Sequence, residues 1–366
     1  MTINNINSYQ FQKKIFLILF LIIVFLSCVG GTKESDSKLE TINVPNSRNS
    51  ELFLSEIAES VELIQLETIK NGLLGYVLDV QLLRDRLFIH DSFKISVFNL
   101  KGNFLNILGK SGDGPGEYGI IYSIAIDHLS GLIYVASERK LQVYNSNLQF
   151  IKEKKFPILL QFIGILNHRP ILISETLGVK VINGFANQTN LFELDPDLQI
   201  VDSIHIRTVV LPERIISGYP FKHYLSVVEN DNFLYKPVLT PENSIRDTLY
   251  KISGRELIPY IKLNFQKAQS LNIEGFKNTN INNIIYSKSY LICEYEHENQ
   301  LMMFLFDRKK LIGYNLEGGI RDNDGEKVLL RPLDLSNDTF YFVKEVKFEN
   351  SETEESNPII GIVKLK

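Results

Sequence analysis

Two stretches of the chain, 46 residues apart, superimpose without a gap, and no other feature constrains the fold as tightly. Leu87 to Leu105 (LFIHDSFKISVFNLKGNFL) aligns with Ile133 to Ile151 (IYVASERKLQVYNSNLQFI), matching Leu87 with Ile133, Ile89 with Val135, Ile95 with Leu141, Val97 with Val143, Phe98 with Tyr144, Asn99 with Asn145 and Phe104 with Phe150. The apolar positions alternate with period two, and turn signals at Arg84-Asp85, Lys101-Gly102 and Ser130-Gly131 interrupt them. Each unit therefore reads as a meander of short antiparallel strands.

The pattern continues with drift. Leu194 to Ile200 lies 50 residues beyond Tyr144 to Phe150, Leu249 to Ile252 and Phe304 to Asp307 follow, and Ile359 to Leu365 closes the chain. Six units over residues 52–366 give roughly 52 residues each, near the length of a four-stranded propeller blade. The expected fold is all-β, a six-bladed β-propeller of four-stranded antiparallel blades. If the first blade begins at Tyr76, the last unit lacks one strand. The run Val61 to Leu66 can supply it, closing the ring with the N-terminal strand and leaving no open sheet edge between blades. A pair of two-sheet sandwiches is the competing architecture, and the ungapped self-match favours blades.

Ahead of the repeats, Lys13 and Lys14 precede twelve apolar residues, Ile15 to Leu26, followed by Ser27 and Cys28. Twelve helical residues span about 18 Å, short of a hydrocarbon core of about 30 Å, so residues 1–27 read as a signal peptide. Phe25-Leu26-Ser27-Cys28 resembles a bacterial lipobox, whose cysteine becomes the acylated N-terminus. Cys28 is the expected lipidation site, with an ordinary secretory signal as the alternative. Residues 28–51, rich in Gly, Ser, Lys, Glu and Asn, are expected to be a flexible tether to a domain over 52–366. Cys293 is the one other cysteine. Its apolar run, Tyr290 to Cys293, points to a buried structural residue.

Glu67-Thr68, Val97 to Gly102, the loop Gly109 to Tyr118 (GKSGDGPGEY), Asp247 to Ile252 (DTLYKI) and Asn357 to Ile360 resemble the six-bladed β-propeller lipoproteins of Bacteroidota, over nearly the whole mature chain. That resemblance implies a cell-envelope, outer-membrane lipoprotein with an NHL-like repeat. Related propellers bind peptides, proteins, sugars or RNA, and some act as lyases or lactonases. Fold alone does not choose among these.

Several motifs carry less chemistry than they suggest. The glycine-rich loop lacks the GxxxxGK[ST] order and following helix of a phosphate loop, so its glycines and Pro115 are read as shaping a crossing between blades. Glu117 and Tyr118 would then sit near a loop face. Asp113-Gly114 and Asp324-Gly325 lack an EF-hand frame and read as turns. His90, His128, His168, His205, His223 and His297 show no HxH or HExxH spacing, and no GxSxG elbow occurs. Arg321, Asp322, Asn323 and Asp324 form a polar cluster in a long loop before the sixth blade, while Lys267 to Asn283 reads as a protruding loop. Asp202-Ser203-Ile204 and Asp247-Thr248-Leu249 match a three-residue O-glycosylation pattern that arises easily by chance.

Of 82 charged residues, 39 are basic and 43 acidic, and removing the segment before Cys28 leaves 37 against 43. That balance argues against a nucleic-acid partner. The chain is expected to be a monomeric, membrane-anchored module that binds an envelope protein, carbohydrate or peptide and needs no cofactor or metal. Glu117, Tyr118, His128, Arg321 and Asp322 are the candidate contacts. The alternatives are a propeller enzyme with a channel site, a calcium-dependent lactonase or a carbohydrate lyase, and a structural subunit of an envelope complex.

Overall fold

The computed structural model describes residues 39–47, 51–215, 218–240, 245–265, 277–345 and 356–366. The signal peptide, Cys28 and the first part of the expected tether lie outside them. Residues 40–366 form one compact unit. Among the described residues, no helix is long and apolar enough to cross a membrane.

Among the described residues the unit is an all-β, propeller-like array whose six large sheets follow chain order, with two further two-stranded ribbons, Lys110–Ser111 with Glu117–Tyr118 and Ile320–Arg321 with Lys327–Val328. Sheet I holds Asp79–Leu83, Arg86–His90, Ile95–Asn99 and Phe104–Ile107; sheet II holds Ile121–Asp127, Leu132–Ser137, Lys140–Tyr144 and Phe150–Lys155. Sheet III holds Phe162–Leu166, Arg169–Val181, Gly184–Leu194 and Ile200–Leu211, and sheet IV holds Leu225–Val228, Asp231–Leu234, Thr248–Ser253 and Glu256–Phe265. Sheet V holds Thr279–Tyr286, Tyr290–His297, Gln300–Asp307 and Ile312–Glu317. Sheet VI joins Arg331–Asp334, Thr339–Lys344 and Ile359–Leu365 to Ala58–Gln65 from the other end of the chain.

The self-match has a structural cause. Its two copies cover the second, third and first part of the fourth strands of sheets I and II, and the later repeats fall on or beside the third strands of sheets III to VI. Middle strands such as Leu87-Phe88-Ile89 are wholly buried because both faces of their sheet are covered, and such strands read as unbroken apolar runs. Outer strands such as Phe150–Lys155 stay mostly in contact with water.

Ala58–Gln65 pairs antiparallel with Ile359–Leu365, from Ala58 opposite Leu365 to Gln65 opposite Ile359. Gly102 fixes how that strand meets sheet I. Its φ is +83°, and a Cβ there would stand 2.0 Å from the Gln65 carbonyl oxygen, so only glycine lets the turn approach this closely.

Two expectations change. Glu40–Val44 lies inside the stretch expected as a tether yet is a strand, paired in parallel with Ile261 to Phe265 on the outer edge of sheet IV. Ile42 and Val44 are buried there; the short apolar pair forms nothing alone and becomes ordered by completing an existing edge. Asn315 Nδ2 then donates to the Pro45 carbonyl at 2.7 Å, and the Arg321 amide donates to Leu52 O at 2.9 Å. The N-terminal chain thus runs along sheets IV and V before completing sheet VI, and the folded unit starts at Glu40 rather than Leu52. The expected protruding loop Lys267 to Asn283 ends inside a strand, since Thr279 to Asn283 belong to the first strand of sheet V; residues 266–276 lie outside the described residues.

Candidate functional site

In each sheet the strands alternate in direction, so the segments linking one sheet to the next share an end with the turns between second and third strands. The first strands begin at that end, and there their polar heads meet the segment Gly218 to Tyr224, which leads into sheet IV. Tyr219 donates its hydroxyl to Glu294 Oε2 of sheet V at 3.4 Å. Phe221 packs on Tyr76, ahead of sheet I, at 5.5 Å between ring centroids, and the Arg331 guanidinium of sheet VI lies 3.7 Å above the Phe221 ring. Lys222 donates to the Tyr122 carbonyl of sheet II at 3.2 Å, its ammonium 4.9 Å from the Tyr122 ring. The His223 amide donates to Asn283 Oδ1 at 3.4 Å. Tyr224 packs on Phe162 of sheet III at 5.1 Å and beneath the Lys236 ammonium at 5.2 Å. One seven-residue segment therefore touches all six sheets or the residues that lead into them.

The groups around this segment are already engaged with one another. Glu294 is 0% exposed at its side chain, Arg331 7%, and the two lie 3.3 Å apart. Asn283 donates a further 2.7 Å bond to Glu294 Oε2. Tyr341 of sheet VI donates to Asp79 Oδ1 at 3.4 Å, and Gln81 to Asp79 Oδ2 at 2.9 Å. Burial raises the Asp79 pKa to about 6, against the lowering effect of Gln81, the Val80 amide, Tyr341 and Arg331. His90, which donates from Nε2 to Ile121 O at 3.1 Å, is pushed down to about 4, first by burial and then by Lys222. Burial and the nearby Lys236 lower Lys222 to about 8. Cys293 is buried in the Tyr290–His297 strand, as its apolar run indicated, and burial with Glu294 beside it holds its thiol well above the usual range.

The residues singled out in the sequence are not brought together. Tyr118 is 0% exposed and donates to Leu108 O at 2.6 Å, so it is a core residue of the loop rather than a ligand contact. Glu117 turns back into the same loop: its carboxylate accepts from the Gly114 amide at 3.0 Å and pairs with Lys110 at 2.5 Å. The Lys110 bond and the Gly114 amide hold its pKa low. Gly109, at φ +67°, passes so close to Tyr144 that a Cβ would stand 2.5 Å from its hydroxyl, which explains the glycine in structural terms.

Asp322 is buried and caps the Asp324-Gly325 turn, accepting from the amides of Asp324 and Glu326, while Lys344 pairs with it at 2.8 Å. Burial would raise its pKa, but Lys344 and the two amides hold it low. Arg321 pairs with Glu51 at 2.8 Å. These two residues fasten the N-terminal chain and their own loop. His128 is exposed in the turn between the first and second strands of sheet II, at the end opposite the segment Gly218 to Tyr224. Among the described residues, no group of three or more His, Cys, Asp and Glu side chains is placed to hold a metal ion.

Tyr219, Phe221, Lys222, His223, Asn283, Glu294 and Arg331 were missed in the sequence. One signal was present: Gly218 to Tyr224 (GYPFKHY) packs four aromatic and basic residues in a row between two repeats, an unusual density for a solvated crossing.

The family profile described as "Domain of unknown function (DUF4934)" matches residues 39–364. No curated protein sequence matches the chain significantly. The crystal structure of a Bacteroides fragilis protein assigned as exported is similar over 90% of this chain and 99% of its own, with 18% identity and a TM-score of 0.67. The Cps50 (Swd1) β-propeller domain of Myceliophteria thermophila aligns over 82% of this chain and 99% of its own, with 12% identity and a TM-score of 0.43.

Proposed function

This chain belongs to the DUF4934 family, and we propose that it is a lipid-anchored, extracytoplasmic six-bladed propeller that binds a ligand or partner protein without turning it over. Contacts between successive sheets support the six-bladed ring. Ile121 N bonds to Ser92 O between sheets I and II, Ser123 to Ile163 O between II and III, and Phe162 packs on Tyr224 between III and IV. Tyr286 N bonds to Ser226 between IV and V, Arg331 pairs with Glu294 between V and VI, and Tyr341 bonds to Asp79 between VI and I. The N-terminal strand in sheet VI closes that circuit. Lys13 and Lys14, the twelve-residue apolar run and Cys28 support export and acylation to the outer membrane, and the fold shared with the Bacteroides fragilis protein is in keeping with them.

The observation that carries the binding reading is the set of contacts by which residues 218–224 reach all six sheets or the residues leading into them. A catalytic carboxylate or histidine must reach its substrate and change its proton during the reaction. Here Glu294, Arg331 and Asn283 are engaged with each other and with the chain's own residues 218–224, and Asp79 is engaged with Tyr341 and Gln81. The pairing is incomplete, since Glu294 Oε1, Arg331 Nη1 and His223 Nε2 make no hydrogen bond among the described residues, but Glu294 and Arg331 still face each other at 3.3 Å as a buried ion pair.

Incubating the full chain with a panel of lactones and envelope polysaccharides, with and without calcium, and comparing products by mass spectrometry tests this reading. No products beyond those of the protein-free control are expected for the wild type or for Glu294→Gln. New products that disappear in Glu294→Gln would contradict it.

A further inference from the structure

A cavity of about 670 Å³ opens between the outer strand of sheet III and the third and fourth strands of sheet IV. Its wall carries charges of both signs. Arg207, Lys236, Arg246 and Arg255 line it against two carboxylates, Asp247 and Glu256. Arg255 sits at the exposed rim, paired with Asp202 at 2.6 Å. Lys236 is inside, its ammonium 3.4 Å from Glu175.

Arg207 differs from these. It is half-buried, and its hydrogen bond runs to the Lys236 backbone carbonyl. Among the described residues no carboxylate lies within ion-pair distance of it. Burial lowers its pKa; Arg246 beside it acts the same way, against Tyr235 and Glu175. One carbonyl uses one of a guanidinium's five donors, and a cation held away from water without an anion is costly unless something compensates it. An incoming oxyanion would supply both the missing charge and the acceptors, in the planar, two-pronged geometry that arginine favours.

We propose that the groove between sheets III and IV binds a small ligand through an oxyanion, a carboxylate, sulfate or phosphate, with Arg207 as its anchor and Arg246 beside it. The site deepens the ligand-binding reading above and rests on it. Tyr235 and Tyr250 line the same groove, so the rest of the ligand would meet an aromatic wall.

Titration calorimetry on the purified full chain in detergent, with sodium acetate, sulfate and phosphate as separate probes at matched ionic strength, tests the site. Saturable binding of at least one probe is expected, weakened tenfold or more in Arg207→Gln and several-fold in Arg246→Gln. The anion that binds identifies the head group. If Arg207→Gln does not fold, as judged by circular dichroism, Arg246→Gln alone decides. Absence of saturable binding for all three probes overturns the site. Binding unchanged by both substitutions also overturns it, while leaving the binding-module reading intact; turnover in the product assay would remove that reading and leave the groove.

Discussion

Asp79 and His90 stand at the same end of sheet I, and burial pushes them in opposite directions, to about 6 and about 4. The signs follow from linkage. Asp79 is raised above its ordinary value of 3.8, so the folded state holds its proton more tightly than the unfolded chain, and stability falls as pH rises from about 4 to about 6. His90 is lowered from 6.5, so the unfolded chain takes up the proton first, and stability falls as pH drops from 6.5 to about 4. At about 1.4 kcal/mol per pH unit, each is worth about 3 kcal/mol. The two slopes nearly cancel between pH 4 and 6.5 in the wild type. Asp79→Asn should therefore unmask a loss of stability on acidification, and His90→Gln a gain, both measured as urea midpoints from pH 4 to 7. Parallel curves for all three proteins would show that neither group carries the shift. Neither residue's environment was legible in the sequence. His90 read as an ordinary strand-end histidine, and its burial depends on Ile121 and Lys222, which the fold brings in from 31 and more than 100 positions away.

Strands were the most legible elements, because a sheet covered on both faces writes itself as an apolar run and a repeated run gives its register. The N-terminal strand of sheet VI was legible for a different reason: the repeat count left one vacancy, and Val61 to Leu66 was the run available to fill it. Glu40–Val44 was not legible, since two apolar residues in a polar stretch acquire meaning only beside the edge of sheet IV. The segment 218–224 escaped for a similar reason, its partners being spread over six sheets. The closing strand makes a direct prediction. Ile64 is 3% exposed in a cluster with Tyr341 and Ile360, whereas Leu63 is 50% exposed. Ile64→Ala should lower the unfolding free energy by about 3 kcal/mol, with the transition still cooperative, and Leu63→Ala by less than about 0.5 kcal/mol. Equal, small effects in urea unfolding would mean that the strand lies outside the cooperative unit.

At the scale of the molecule, the fold class and the order of its sheets could be read from the repeats, while the place of recognition could not. The candidates Glu117, Tyr118, Arg321 and Asp322 came from loops that looked conspicuous, and such loops turned out to spend their polar groups on their own turns. A propeller-like array gathers its first strands around one axis, which makes the mouth the natural place for a ligand. In this chain we propose that the Gly218 to Tyr224 segment takes that place, with the groove beside sheet IV as a further concave surface among the described residues. Because the sequence contains no tryptophan, Phe221→Trp places a single reporter in that segment, where an indole can also stack against the Arg331 guanidinium. Its fluorescence tests the filled mouth most directly: blue-shifted emission that resists acrylamide quenching, and that loses both properties in Phe221→Trp combined with Arg331→Ala, is the predicted result. Emission typical of water-exposed indole, quenched as readily as in the unfolded chain, would show that the mouth is open and that recognition has to be sought there.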